Sequence, residues 1–438
     1  MKKTRLSVTI VTGLALLMSA CSGTGSTPTT SPEAGTTGSA AGGDYGGVTE
    51  LNLYSQFNKG TPLGKLQEEV LKKYTEETGI KVNVADAVGD NAMEAYEAQV
   101  AAGQEADLVI INPSDKSRSW LSKGAVVDAE PYLKEWGLEA KLTDDALNGW
   151  RDKDGHLLGL PYVGFEWPVY WNKKLLAKAG VDKVPTTEDE LIAAANKLNA
   201  AGIAPFVVGG GDWTGNGLLM HVMNAYAPPE VMGKVWSEGG YCSTPEVKKG
   251  LEYFVRLREA GVFIKDAEGF MMDQQNQTFF TGKAAAMSGG SWWFEDVPKE
   301  MRGDIELGGV PVPADGYYKK PLAAHGSTSG GFWISKKGAE KSKAIRKLVE
   351  MFYSQDVASK VVTDTSTLTV VKLDPAPQPP NPLLKQAVTD LKDKVEYVPM
   401  VDFYWPPSIT AMASTTAQVY SKSSTADSIC KALDDLYR

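Results

Sequence analysis

The sequence predicts an α/β protein whose body forms two lobes. Three observations carry that expectation: strand-like and helix-like segments alternate as β-α-β-α-β after residue 47, the same alternation recurs downstream, and 438 residues leave room for two domains of ordinary size. A composition of 42% hydrophobic and 23% charged residues is that of a globular chain.

Leu51-Asn52-Leu53-Tyr54 alternates like a half-buried strand. Thr61-Pro62 then supplies an N-cap and a first-turn proline, Leu63, Leu66, Val70 and Tyr74 keep helical spacing, and Gly79 closes the helix. A second strand over residues 80–84 leads to a helix near 91–102. Asp107-Leu108-Val109-Ile110-Ile111 follows, its apolar run suited to a parallel strand covered on both faces. Downstream, Thr187 and Glu190 form a capping-box signature ahead of Leu191, Ala194, Ala195 and Leu198, and Phe206-Val207-Val208 follows as a strand. Thr244-Pro245 opens a helix with Val247, Leu251, Phe254 and Leu257 on one face and Gly261 at its end. Ile345, Leu348, Val349 and Phe352 mark another amphipathic helix, whereas the five prolines within residues 374–382 make that stretch a connecting loop.

The N-terminus reads as an address. Lys2, Lys3 and Arg5 precede an apolar run over residues 8–17 that is too short to span a bilayer permanently, the pattern of an export leader. Its end, Leu17-Met18-Ser19-Ala20-Cys21, resembles a bacterial lipobox. Residues 1–20 are therefore expected to be a signal peptide and Cys21 the lipidated first residue of the mature chain. Residues 21–47 form a Ser, Thr, Gly, Ala and Pro tether with no large apolar side chain before Tyr45, which cannot bury enough surface to order itself. The expected location is the cell membrane, on its extracytoplasmic face. A formal charge of -9, more negative once the basic leader is removed, argues against nucleic acid and anionic membrane surfaces as partners. With Cys21 assigned to lipid, Cys242 and Cys430 remain as either a disulfide pair or two separate buried thiols, since spacing does not choose between them.

Catalytic motifs with testable spacing are missing: the chain has no Gly-x-Ser-x-Gly elbow, phosphate loop, dinucleotide fingerprint or His-Glu-x-x-His. His156, His221 and His325 lie far apart and suggest no metal set. No metal, no cofactor and no enzymatic activity are expected. Aromatics instead sit in polar, glycine-rich settings: Trp213 ends Gly209-Gly210-Gly211-Asp212-Trp213, Trp292-Trp293 follows Gly289-Gly290-Ser291, and Tyr404-Trp405 precedes two prolines. A sugar presents a flat C–H face and a rim of hydroxyls, so it asks for aromatic platforms together with carboxylates or amides.

The order of several stretches resembles the extracellular solute-binding family that includes maltose-binding protein. The likeness rests on the opening "LNLYSQFNKGTPLGKLQEEVLKKYTEETGIKVNV", on "ADLVIINPSDKSRSWLSKGAVVDAEPYL", on "GHLLGLPYVGFEWPVYWNKKLLAKAGV" with Tyr170, Asn172 and Lys173, and on "TGKAAAMSGGSWWFEDV". It implies a two-lobed periplasmic-binding-protein-like fold (type II), its discontinuous lobes joined by hinge crossings near residues 162–165, 321–325 and 368–371, with ligand in the interlobe cleft. The lobes would be residues 48–163 with 323–369, and 164–322 with 370–438. The resemblance further implies that Asn58 and Lys59 follow the first strand as a polar ligand loop, that Asn112 and Asp115 follow the third, and that Glu166 is a hinge-side carboxylate for sugar hydroxyls. Trp213, Trp292, and Tyr404 or Trp405 would be stacking aromatics, with Ser291 where the family has proline. Asp90 and His325 join the candidates by loop position. The function so implied is capture of a carbohydrate, an oligosaccharide before a monosaccharide, by a monomer that delivers it to an ABC permease. The alternatives are a polyamine or other small solute in the same fold, and a secreted glycoside-active enzyme using two carboxylates.

Overall fold

The computed structural model describes residues 43–87, 92–114, 116–152, 154–399 and 417–437. Cys21, Asp90, Asp115, Tyr404 and Trp405 lie outside these residues.

Strand β1 (Glu50–Ser55) is the middle of a parallel trio, pairing with β2 (Lys81–Asp86) on one side and β3 (Leu108–Ile111) on the other. Parallel neighbours need crossovers, and the helices α1 (Pro62–Thr78) and α2 (Ala92–Ala101) supply them. The start of α1 follows its sequence signals: Thr61 Oγ1 accepts the Gly64 N–H, Pro62 lies in the first turn, and Gly79, at φ 74°, ends the helix. The second strand runs beyond the expected residue 84, because its register with β1 continues to the pair Ser55 and Asp86.

The other edge of β3 pairs antiparallel with β9 (Leu322–Ile334), a 13-residue strand whose glycines and serines conceal its periodicity. Next in the sheet come β4 (Leu160–Trp167) and the short β10 (Leu368–Thr369), while β11 (Glu396–Tyr397) adds in parallel to β9. A second sheet has the order β6-β7-β5-β8, formed by β5 (Val169–Asn172), β6 (Ala204–Val207), β7 (Ala284–Ser288) and β8 (Ile305–Gly308). Around it lie α3 (Glu188–Ala200), α4 (Trp213–Met223), α5 (Pro245–Glu259) and α6 (Met272–Phe280). Further on, α7 (Ser342–Phe352) and α8 (Gln355–Thr363) pack on α1, and α9 (Pro382–Thr389) and α10 (Ala426–Asp434) complete the chain.

Two caps differ in detail from the sequence reading. Thr187 Oγ1 accepts the Glu190 N–H as expected, but the Glu190 carboxylate turns to Thr186, accepting from its N–H and hydroxyl. Thr244 does not cap α5; its hydroxyl donates to Gly240 O. The last proline of the connecting loop, Pro382, opens α9, where its fixed φ suits a first helical turn.

The hydrophobic cores divide along the crossing strands. Val163, Phe332 and Ile334 belong to one cluster, whereas Phe165, Trp167, Leu322 and Ala324 belong to another. Val370 and Val371 pack within the first cluster, so that core reaches beyond residue 369. At the crossing, Val163 pairs with Gly330 and Phe165 with Gly326, so Gly164 on β4 faces three bulged residues, Ser327, Thr328 and Ser329. The bulge is tied down: Ser327 Oγ donates to Asp145 Oδ2 at 2.8 Å, and the Trp150 indole N–H donates to Ser327 O at 2.9 Å. Cys242 and Cys430 are disulfide-bonded with Cα atoms 5.0 Å apart, joining α10 to the turn before α5. Asp434 reinforces that join by accepting the N–H groups of Gly240, Tyr241 and Cys242.

Candidate ligand-binding site

Most large aromatics of the first lobe serve packing. Trp120, Trp150 and Trp333 are fully buried, with Trp333 in contact with each of the other two, and their indole N–H groups are satisfied by Glu97 Oε1, Ser327 O and Ile111 O. The second lobe differs where it meets the crossing strands. There Trp292 lies 6.1 Å from Trp213, ring centre to ring centre, and Trp167 meets both edge-on at 5.5 Å. Trp293 closes the group from behind. Trp213 is 40% exposed and Trp292 half-buried, so these two keep surface for a ligand while Trp167 and Trp293 support them.

Local sequence explains the placement of both. Trp292 stands on a 3-10 turn, Ser291–Trp293, after two glycines, and a Cβ at Gly290 would lie 2.2 Å from the Trp292 ring. Only glycine lets that indole fold back over the backbone. Trp213 is the first residue of α4, whose N-cap Asp212 accepts the Thr214 N–H through Oδ1 and the Met272 N–H through Oδ2. Behind the platform, His221 of α4 is buried with neither ring nitrogen hydrogen-bonded among the described residues, and burial pushes its pKa down to about 4. It packs edge-on against Trp167 and stays uncharged.

Glu166 sits on β4 beside this group. Its Cα is in register with His325 on β9, and its N–H donates to Ser291 Oγ at 3.1 Å. Ser291 thus joins the platform turn to the crossing strand, which a proline at that position could not do by a side-chain hydroxyl. Burial raises the Glu166 carboxyl to about 8, partly opposed by a hydrogen bond from Tyr397, and Oε2 has no partner among the described residues. The Tyr397 ring also lies against His325, tilted by 39° with centres 4.3 Å apart. The His325 ring reaches solvent, yet surrounding protein lowers its pKa from the ordinary value. Glu166, Trp213, Trp292 and His325 therefore meet near the crossing.

Asn58, Lys59 and Asn112 stand apart from that group, at the carboxyl ends of β1 and β3. Asn58 O accepts from Thr61 at the start of α1, its Oδ1 is buried without a partner among the described residues, and Lys59 forms an exposed pair with Glu68. The Asn112 N–H donates to Gln56 Oε1, and Gln56 Nε2 donates to Ser329 O of the crossing bulge. Strand carboxyl ends are where open α/β sheets present ligands. Asp90, Asp115, Tyr404 and Trp405 lie outside the described residues.

Sequence inspection missed Tyr397, Trp167 and Gln56. Tyr397 had a faint signal, an aromatic just ahead of Val398-Pro399 in a short extended segment; Trp167 reads as one more apolar residue of a strand. The arrangement offers aromatic faces, an uncharged buried carboxyl with one free oxygen, and an imidazole. Among the described residues no group of three or more His, Cys, Asp or Glu side chains could hold a metal ion, and no helix is long and apolar enough to cross a membrane.

Residues 59–359 match the model of a family described as bacterial extracellular solute-binding protein. A probable sugar-binding periplasmic protein of Brucella suis is 34% identical over 164 residues, which cover 36% of this chain and 38% of that protein. The chain thus matches well under half the length of that relative. An uncharacterized ABC transporter extracellular-binding protein of Pyrococcus horikoshii is 24% identical over 72% of this chain and 70% of that protein. Among solved structures, a probable secreted solute-binding lipoprotein from Streptomyces coelicolor is 34% identical, with a TM-score of 0.78 over 89% of this chain and 99% of that one.

Proposed function

We propose, starting from a chain that belongs to the bacterial extracellular solute-binding proteins, that its interlobe site captures a neutral carbohydrate, an oligosaccharide in particular, and delivers it to an ABC permease. The observation that carries this reading is the pair of Trp213 and Trp292 rings packed against β4, the crossing strand that also bears Glu166, whose Oε2 has no partner among the described residues. Stacking surfaces suit the C–H faces of successive sugar rings, and an unpartnered carboxyl oxygen suits a hydroxyl. The names of the Brucella and Pyrococcus relatives support the sugar and the transporter respectively. An uncharged Glu166 offers little to a polyamine, which asks for ionised carboxylates around each ammonium.

In this reading the lobes close about the three crossings, and a ligand touching both walls stabilises the closed form. The body that holds Val163, Phe332, Val370 and Val371 moves against the body that holds Phe165, Trp167 and Ala324. Asn58, Lys59 and Asn112 line the first wall, and Asp90, Asp115, Tyr404 and Trp405, outside the described residues, are proposed as further ligand contacts. Signal removal after residue 20, lipidation at Cys21 and the tether that follows, which ends where Asp44 pairs with Lys343 and Tyr45 packs on the first core, hold a monomeric receptor at the membrane and raise its effective concentration near the permease. The protein binds and does not turn over its ligand.

The test is a titration of the full-length chain with neutral oligosaccharides, monosaccharides and polyamines, followed by tryptophan fluorescence and heat. Saturable binding of neutral oligosaccharides without product formation is expected. A response to polyamines alone, or steady hydrolysis of the sugar, contradicts the reading.

A further inference from the structure

We infer that Glu295 is a positioning residue that ties the Trp292 turn of the second lobe to the third crossing, so that the platform and the hinge move as one unit. Glu295 lies just after the Ser291–Trp293 turn, and its carboxylate gathers three other parts of the chain. Ser366 donates its hydroxyl to Oε1, Asn381 Nδ2 donates to the same oxygen at 2.8 Å, and Arg302 Nη2 donates to Oε2 at 3.0 Å and to the Glu295 carbonyl at 2.8 Å. Arg302 is itself buried and fixed by Val297 O. Those hydrogen bonds outweigh the cost of burial and hold the Glu295 carboxyl below its ordinary range, so it accepts as a carboxylate.

The partners are what give the contact its meaning. Asn381 is the N-cap of α9, where the chain enters the second lobe after the proline-rich loop, and its side chain also donates to Phe294 O. Ser366 belongs to the first-lobe side: its neighbours Thr365 and Thr367 are anchored to Val361 O of α8, through a hydroxyl at 2.6 Å and an N–H at 3.1 Å. Val361 lies in the first core. Immediately after this turn, Leu368 and Thr369 form β10 against Gly164 and Val163, next to Glu166 on the crossing strand. Ser366 is also 1% exposed with φ 51°, a left-handed conformation that costs a serine free energy and persists only where surroundings impose it. A turn held in that state, with its hydroxyl on a carboxylate of the other lobe, is built to transmit position.

The experiment separates coupling from local packing by choosing Ser366→Gly, which relieves the left-handed strain while deleting the hydroxyl. Hydrogen–deuterium exchange on the ligand-free full-length chain is compared for residues 364–369 and for residues 290–296. Faster exchange in both segments, with the unfolding midpoint unchanged or raised, is the expected result. Faster exchange confined to 364–369, or no change in either, overturns the inference. Glu295→Gln, which keeps shape but loses the charge facing Arg302, should loosen both segments as well; if only 290–296 responds, coupling is likewise rejected. Neutral oligosaccharides that bind the wild type should bind Ser366→Gly about ten-fold more weakly. Because exchange is read without ligand, a chain that binds no sugar would contradict the proposed function and leave the exchange result to decide this one.

Discussion

In the proposed function, Trp292 offers a face and Glu166 an edge to the sugar. A stacking contact of this kind is worth about 1–2 kcal/mol, so Trp292→Ala should weaken oligosaccharide binding roughly ten-fold while far-ultraviolet circular dichroism stays native. Unchanged affinity would remove Trp292 from the site. Glu166 yields a pH prediction. In the unfolded chain its carboxyl titrates near 4.5, and in the folded protein near 8, so across that window the unfolded chain has lost a proton that the folded one keeps. Stability attributable to Glu166 therefore falls as pH rises from about 4.5 to about 8 and levels off above that. Glu166→Gln keeps the shape and abolishes the titration, so its unfolding temperature relative to wild type should climb between pH 5 and pH 8. A difference that stays flat across that range would show the carboxyl to be ionised in the folded protein.

At the scale of elements, legibility followed the strength of local signals. The α1 helix was readable from Thr61, Pro62 and Gly79 because caps and turns act within a few residues, and β3 from its apolar run. β9 was not readable along its length, since Gly326, Ser327, Thr328, Ser329, Gly330 and Gly331 make a strand only by being squeezed between β3, β4 and the rings of Trp150 and Phe165. The platform at Trp292 was suggested by its glycines and the site carboxyl Glu166 by family likeness, but Tyr397 reaches Glu166 through a two-residue strand whose place depends on tertiary contacts alone. The Cys242–Cys430 bridge is similar, because no spacing could show that residues 188 apart in sequence meet. Closing so long a loop should contribute about 2–5 kcal/mol, chiefly through the unfolded state. Replacing both cysteines by serine should lower the denaturant midpoint, with Asp434 still holding the turn and oligosaccharide affinity little altered. An unchanged midpoint would mean that the bridge adds nothing to what Asp434 already holds.

For the whole molecule, the decisive geometry is that the hydrophobic clusters divide along β4 and β9, and that Glu166 and His325 stand on those strands with the aromatic group packed against β4. In the proposed function this design converts ligand contact into closure, since few residues need to change conformation when the cores move as bodies. The residues of the proposed site are spread along the chain from Asn58 to His325 and beyond, which is why no short motif points to its chemistry. The most direct test is small-angle scattering of the full-length chain during titration with a neutral oligosaccharide. The account predicts that the radius of gyration falls and saturates at the same sugar concentration as the tryptophan fluorescence. Contraction driven by a polyamine and by no sugar, or sugar binding with no contraction, would contradict it.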